Sequence, residues 1–171
     1  MTRKAPDLKY WLIGLAIFVG LVAASALLRG DAPYGIVDHQ AAGTARQVDI
    51  IQASWRDSEL TTIMTISMLV DLIFIGVYSF GCWRAGRSFI AFGSAAMKTI
   101  GLAVISAAAV FCVTDYIETI LQVVQMIRAQ GSDWMAAAAA TAQPIKIAAW
   151  IATFIGVLIG MIVCMKKKSD A

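Results

Sequence analysis

Thr114 Asp115 Tyr116 Ile117 Glu118 is the stretch from which the rest of the chain can be read. It sets two carboxylates one helical turn apart inside a segment, about 99–126, that is otherwise apolar enough to cross a bilayer. A third acid, Asp71, falls at the middle of a second such segment, about 60–82. An ionised acid near a bilayer centre costs about 2.5 to 3.5 kcal/mol on insertion scales, so three load the fold with roughly 8 to 10 kcal/mol. Packing alone has no use for that load, which makes these acids the first candidates for function.

Outward along the same segment, Asp115, Glu118 and Gln122 are spaced by three and four and share one stripe of a helix. Its first half is rich in small residues, Gly101, Ala103 and positions 106–109, which lets neighbouring helices approach closely. The excess length predicts a helix that tilts or projects beyond the membrane. In segment 60–82, Ser67, Asp71, Tyr78 and Cys82 follow steps of four, seven and four, so they too share a face, which should turn into the bundle. Trp83 marks the interfacial end. The connection beyond it holds Arg84, Arg87 and Lys98 and no acid, with 88–97 read as a short surface turn of helix.

The composition points the same way. The 171 residues amount to one domain, 1–171, and 60% of them are hydrophobic. That share and a mean hydropathy of +0.76 exclude an ordinary soluble domain. The net charge of +3 comes from short basic clusters beside apolar runs, the pattern of topological anchors, and no basic stripe with interleaved aromatics exists, which excludes a nucleic-acid partner. Cys82, Cys112 and Cys164 have no paired spacing and read as small buried hydrophobes rather than a disulfide framework or zinc site.

Two more apolar runs complete four spans. The first, about 10–28, follows Arg3, Lys4 and Lys9. Ala24 Ser25 Ala26 has the form of a signal-peptide cleavage site, but the run continues through Leu28, and Ala16, Gly20 and Ala24 repeat at the four-residue spacing of a packing face, which favours a retained helix. The last, about 144–165, opens at Pro144 and carries Ala148, Ala152, Gly156 and Gly160 at the same spacing. Ahead of it stands the alanine run 136–140, expected to extend a helix above the membrane.

The segment between the first two spans is too long for a plain turn. Within 37–55, Ala41, Ala45, Val48, Ile51 and Trp55 recur at helical intervals opposite a polar face, with Gly43 weakening the helix so that it can start beyond it. This loop helix is either interfacial, anchored by Trp55, or a lid over the bundle's outer mouth. The N-terminus, the second loop and the C-terminus (Lys166, Lys167, Lys168) each hold three bases. The first loop sets three (Arg29, Arg46, Arg56) against five acids, Asp31 among them, and the last holds Arg128 and Lys146. Positive-inside bias then puts both termini in the cytoplasm and the loop helix outside.

In that topology Asp71, Asp115 and Glu118 line a cavity opening outward. Two adjacent carboxylates in a low dielectric resist ionising together, so Asp115 and Glu118 are expected to share a proton, with Tyr78 and Gln122 orienting a ligand. The single histidine, His39, could join Asp71, Asp115 and Glu118 in a metal site, but it lacks the companion ligands of a metal motif, and a lone loop histidine is usually solvated. No metal and no cofactor are expected. No histidine or lysine within the helix of Ser67 and Tyr78 activates them for covalent chemistry, and no phosphate loop or dinucleotide fingerprint is present.

These features together, a glycine and Ile36 opening a polar loop that ends in Ile50, Ile51 and Trp55, then Asp71 Leu72 Ile73 Phe74 with Tyr78, then Asp115 Tyr116 Ile117 Glu118, resemble a group of small, largely uncharacterised bacterial four-span inner-membrane proteins. Those proteins show D-x-x-F-x-x-x-Y in the second span and D-[LY]-x-E-N in the third. The resemblance covers about 35–165 and implies the fold, a bacterial inner-membrane location and a site at Asp71, Phe74, Tyr78, Asp115 and Glu118; it implies no activity. Thr119 stands where the group has asparagine, and Asp38 His39 where it often has an aromatic residue and glutamate.

The expectation is therefore an all-α membrane protein, a four-transmembrane-helix bundle with an extracytoplasmic amphipathic loop helix. Its pocket binds, and can transport or modify, a small amphipathic or lipid-like molecule. The competing readings are acids that pair with one another or with Tyr78, Gln122 and Thr119 in an inert bundle, and an accessory subunit held to a second copy or a membrane partner through the Gly20 and Gly156/Gly160 faces.

Overall fold

The computed structural model describes residues 5–28, 30 and 32–169, with 167–169 as helical backbone alone. Arg3, Lys4, Arg29 and Asp31, which entered the charge count, lie outside the described residues, as do the side chains of Lys167 and Lys168. Among the described residues there are six helices and no strand: α1 (Lys9–Leu28), α2 (Ile36–Gln40), α3 (Ala45–Asp57), α4 (Thr61–Ala91), α5 (Ala95–Arg128) and α6 (Asp133–Ser169). Helices α1, α4, α5 and α6 are long and apolar enough to cross a membrane, and the chain is an all-helical, multi-pass bundle.

Packing follows chain order: α1 lies on α4, α4 on α5, and α5 on α6. The α1–α4 crossing is close because Gly81 admits the α1 backbone at Tyr10 and Trp11; opposite it, a methyl on Gly14 would stand 2.8 Å from the Cα of Tyr78. Helices α1 and α6 meet through aromatic rings, Trp11 with Phe154 at 5.9 Å and Phe18 with Trp150 at 5.0 Å. Beyond Phe18, toward the end that carries α2 and α3, a cavity separates them.

Three expectations about the elements change. Helix α4 does not stop near Cys82 but runs to Ala91, because Ala85, Gly86 and Phe89 stay buried and no proline intervenes before Gly93, whose φ of +83 makes the turn to α5. Arg84 therefore sits on a helix, paired with Asp7, whose N–H donates to Ser88 Oγ at 3.1 Å. Helix α6 does not open at Pro144 but at Asp133, since the alanine run is the best of helix formers. Pro144 lies inside it, leaving the Ala140 carbonyl without its usual helical donor. The loop helix is two helices broken at Gly43 (φ +68), with Thr44 Oγ1 capping α3 by accepting from Gln47 N at 3.3 Å.

Helix α3 forms a cap over the ends of α4 and α5. Its apolar positions Ile51 and Trp55 are fully buried against Met64, Met68, Val123 and Met126, so Trp55 belongs to a core and not to the interface. The Trp55 indole N–H donates to the Tyr34 carbonyl at 2.9 Å. The α5–α6 turn holds the other side: Asp49 Oδ1 accepts from Gly131 N at 2.6 Å, and Asp133 Oδ1 from Ala45 N at 2.7 Å.

The small-residue stripe of α6 is used inside the chain. A methyl on Gly156 would stand 2.7 Å from Val104 Cγ2 of α5, and Gly160 lies against the Phe89 ring of α4. These two glycines therefore have no free face to offer a partner. Gly20 on α1 does, with nothing within 4 Å of where its Cβ would be.

Candidate functional site

Helix α5 presents Asp115, Glu118, Thr119 and Gln122 on one buried stripe, as the spacing requires, with exposures of 3%, 0%, 1% and 1%. What answers the acids is Lys146 of α6. Its Nζ donates to Asp115 Oδ1 at 2.9 Å and to Glu118 Oε1 at 2.7 Å. An ammonium thus stands where a shared proton was expected, and this is the largest change to the site. Asp71, on α4, accepts from Thr119 Oγ1 at 3.1 Å and lies within Coulombic range of both Asp115 and Lys146. Fully ionised, the cluster holds three carboxylates against one ammonium.

Two acceptors in the cluster are unmet. Gln122 Nε2 donates to Glu118 Oε1 at 3.5 Å; since an ionised carboxylate only accepts, that contact orients the amide and leaves Gln122 Oε1 buried without a partner. Glu118 Oε2 is buried without a partner as well.

The cluster forms one wall of a cavity of about 570 Å³. Asp71, Asp115, Gln122 and Lys146 line it on one side; Phe18, Leu21, Val22 and Ser25 of α1 line it on the other; Ile36, Val37 and Gln40 of α2 close the cap end, and Phe18, Phe74, Phe111 and Trp150 the opposite end. Val22, Ile147 and Ile151 also border it and are 53%, 49% and 45% exposed, so the cavity opens on the apolar flank between α1 and α6.

Of the five expected site residues, Asp71, Asp115 and Gln122 line this cavity, and Glu118 is joined to them through Lys146 and Gln122. Tyr78 does not line it. It shares the face of Asp71 but lies two turns, about 10 Å, further along the helix axis. There it is fully buried against the Phe111 and Trp150 rings at 5.4 and 6.2 Å. Thr153 Oγ1 spends its hydrogen on the Trp150 carbonyl at 2.7 Å, so the Tyr78 hydroxyl donates to Thr153 at 2.9 Å. Phe74, which the resemblance adds, does border the cavity. Lys146, which the charge count places among the bases of the last loop, belongs to the bundle instead. Its signal was available: a lysine just inside an uncharged apolar run, in a chain with three intramembrane acids, calls for an acid partner.

His39 is neither solvated nor turned to the acids. It is 2% exposed, stacked on Trp55 at 5.1 Å and 3.3 Å from Gln52 Nε2. Its other ring nitrogen, Nδ1, is buried without a partner. Burial pulls its pKa from 6.5 down to about 4. Among the described residues no group of three or more His, Cys, Asp or Glu side chains is arranged to hold a metal ion.

Comparison of the chain with protein-family models, with curated proteins and with solved structures finds no match in any of the three.

Proposed function

We propose that the bundle binds a small amphipathic or lipid-like molecule in the cavity between α1 and α6, with its polar head at the Asp71–Asp115–Glu118–Lys146 cluster and its apolar part along α1. The observation that carries this is the position of the polar cluster: it walls a cavity whose remaining lining is mostly apolar and whose open side is the hydrocarbon-facing flank. A purely structural ion cluster has no need of that opening. Transport or modification of the ligand is the further step such a site allows, with α2 as a lid at the cap end.

The membrane is the bacterial inner membrane, as the resemblance implies, and both termini face the cytoplasm. Support for the orientation strengthens once Lys146 is counted in the bundle, because Arg128, the last residue of α5, is then the one base left at the α5–α6 turn. The open Gly20 face favours a second reading, an accessory subunit docked through α1.

The test is native mass spectrometry of the chain released gently from its own membrane, beside Ser25→Trp, which fills the cavity from the α1 wall. A small mass held by the wild type and missing from the variant supports the binding reading. No small mass in either, or the same one in both, overturns it.

A further inference from the structure

Resting on that reading, we infer that the ligand's head is a protonated amine carrying N–H donors, attached to an apolar tail. Three observations converge on this chemistry. Asp71 and Asp115, which border the cavity, and Glu118, which is joined to them through Lys146, set three carboxylates against one ammonium, an excess of acid that survives protonation of any one of them, so the cluster repels an anion and is completed by a cation. Its lysine is already committed, at 2.9 and 2.7 Å, to Asp115 and Glu118, and so is not free to receive a phosphate or carboxylate head. The buried polar atoms of the cluster that lack partners are acceptors, Gln122 Oε1 on a residue that lines the cavity and Glu118 Oε2 on one that does not, and the acceptor on the wall is satisfied only by a donor from the ligand.

Asp71 is the carboxylate to receive the head. It borders the cavity, its hydrogen bond comes from the neutral Thr119 hydroxyl, and no lysine or arginine pairs with it among the described residues. One turn along α6 from Lys146, the Trp150 indole N–H is buried without a partner and offers a donor to an ester or hydroxyl oxygen behind the head. Two sources supply this chemistry, a free long-chain amine and the aminoethyl head of a bilayer phospholipid.

The experiment uses the full chain in phosphatidylcholine nanodiscs at pH 7, titrated by tryptophan fluorescence with decylamine, decanol, decanoate and decyltrimethylammonium. Empty discs are subtracted. Decylammonium is expected to bind at least about ten-fold more tightly than decanol or the quaternary analogue, which lacks N–H donors, and decanoate most weakly. Asp71→Asn, which can keep the Thr119 hydrogen bond, should melt like the wild type yet bind decylammonium within about two-fold of decanol. Phosphatidylethanolamine discs then separate the sources: lost decylammonium binding identifies the phospholipid, and undiminished binding identifies the free amine. Decanol or decanoate binding as tightly as decylammonium, or an unchanged order in Asp71→Asn, overturns the amine head while leaving the cavity reading intact. No saturable binding of any probe overturns both.

Discussion

Lys146 shows how much a single side chain decides here. Removing it by Lys146→Met leaves Asp115 and Glu118 buried with no cation, and breaking a buried ion cluster this way typically costs about 3 to 5 kcal/mol. Thermal unfolding in detergent should show a large loss for the single variant and recovery of most of it in Lys146→Met combined with Asp115→Asn and Glu118→Gln. A silent Lys146→Met would mean that the cluster is not formed as described. His39 makes the second prediction, in the cap. Its folded pKa of about 4 lies below the unfolded value of 6.5, so the unfolded chain takes up a proton first as pH falls. The contribution is intact above about 6.5, drains away between 6.5 and 4, and sums to about 3 kcal/mol. The protection of α3 amides against exchange, each measured rate taken relative to the intrinsic rate at that pH, should therefore fall from pH 7 to pH 4.5 in the wild type and much less in His39→Phe; an equal fall in both would remove His39 as the cause. The residue types at these two positions were plain in the sequence, but their environments were not. Lys146 lies 31 residues from Asp115 and 28 from Glu118, and its pairing depends on how α6 is rotated against α5.

Helix α6 separates two uses of small residues that look alike in sequence. Gly160 lies against the Phe89 ring, so Gly160→Leu drives a side chain into a filled space and should lower the melting point strongly. Gly20→Leu enters open space and should leave the monomer's melting unchanged. Should both variants melt alike, the assignment of the α6 stripe to internal packing would be wrong. The four-residue repeat announces a contact face in each helix, since it places small side chains in one row. It carries no information on whether the face meets its own chain or another. The helix ends were legible to a similar extent. Apolar length locates the membrane-crossing part of α4 and α6, whereas the extensions to Ala91 and back to Asp133 come from packing of Phe89, Ala136 and Ala139, which a hydropathy window does not register.

Taken together, the helices make a bundle with a capped end and an open flank, and the orientation of that bundle can be read by labelling. Asp57→Cys at the cap and Lys98→Cys at the other end are both at exposed positions. With the cap outward, an impermeant maleimide should modify the first in intact cells and the second only after the membrane is opened; the reverse pattern would invert the topology. The sequence by itself determined the number of apolar helices, the acid stripe of α5 and the amphipathic helix that carries Ile51 and Trp55. Helical periodicity and the cost of charge in hydrocarbon are properties of each segment alone, so they are visible without partners. Only the tertiary structure decided that Lys146 completes the acid stripe, that Tyr78 belongs to the aromatic floor, that His39 is buried under Trp55, and that α1 and α6 part to form a cavity. Each depends on the rotation and depth of one helix against another, which side chains far apart in the chain settle jointly through packing.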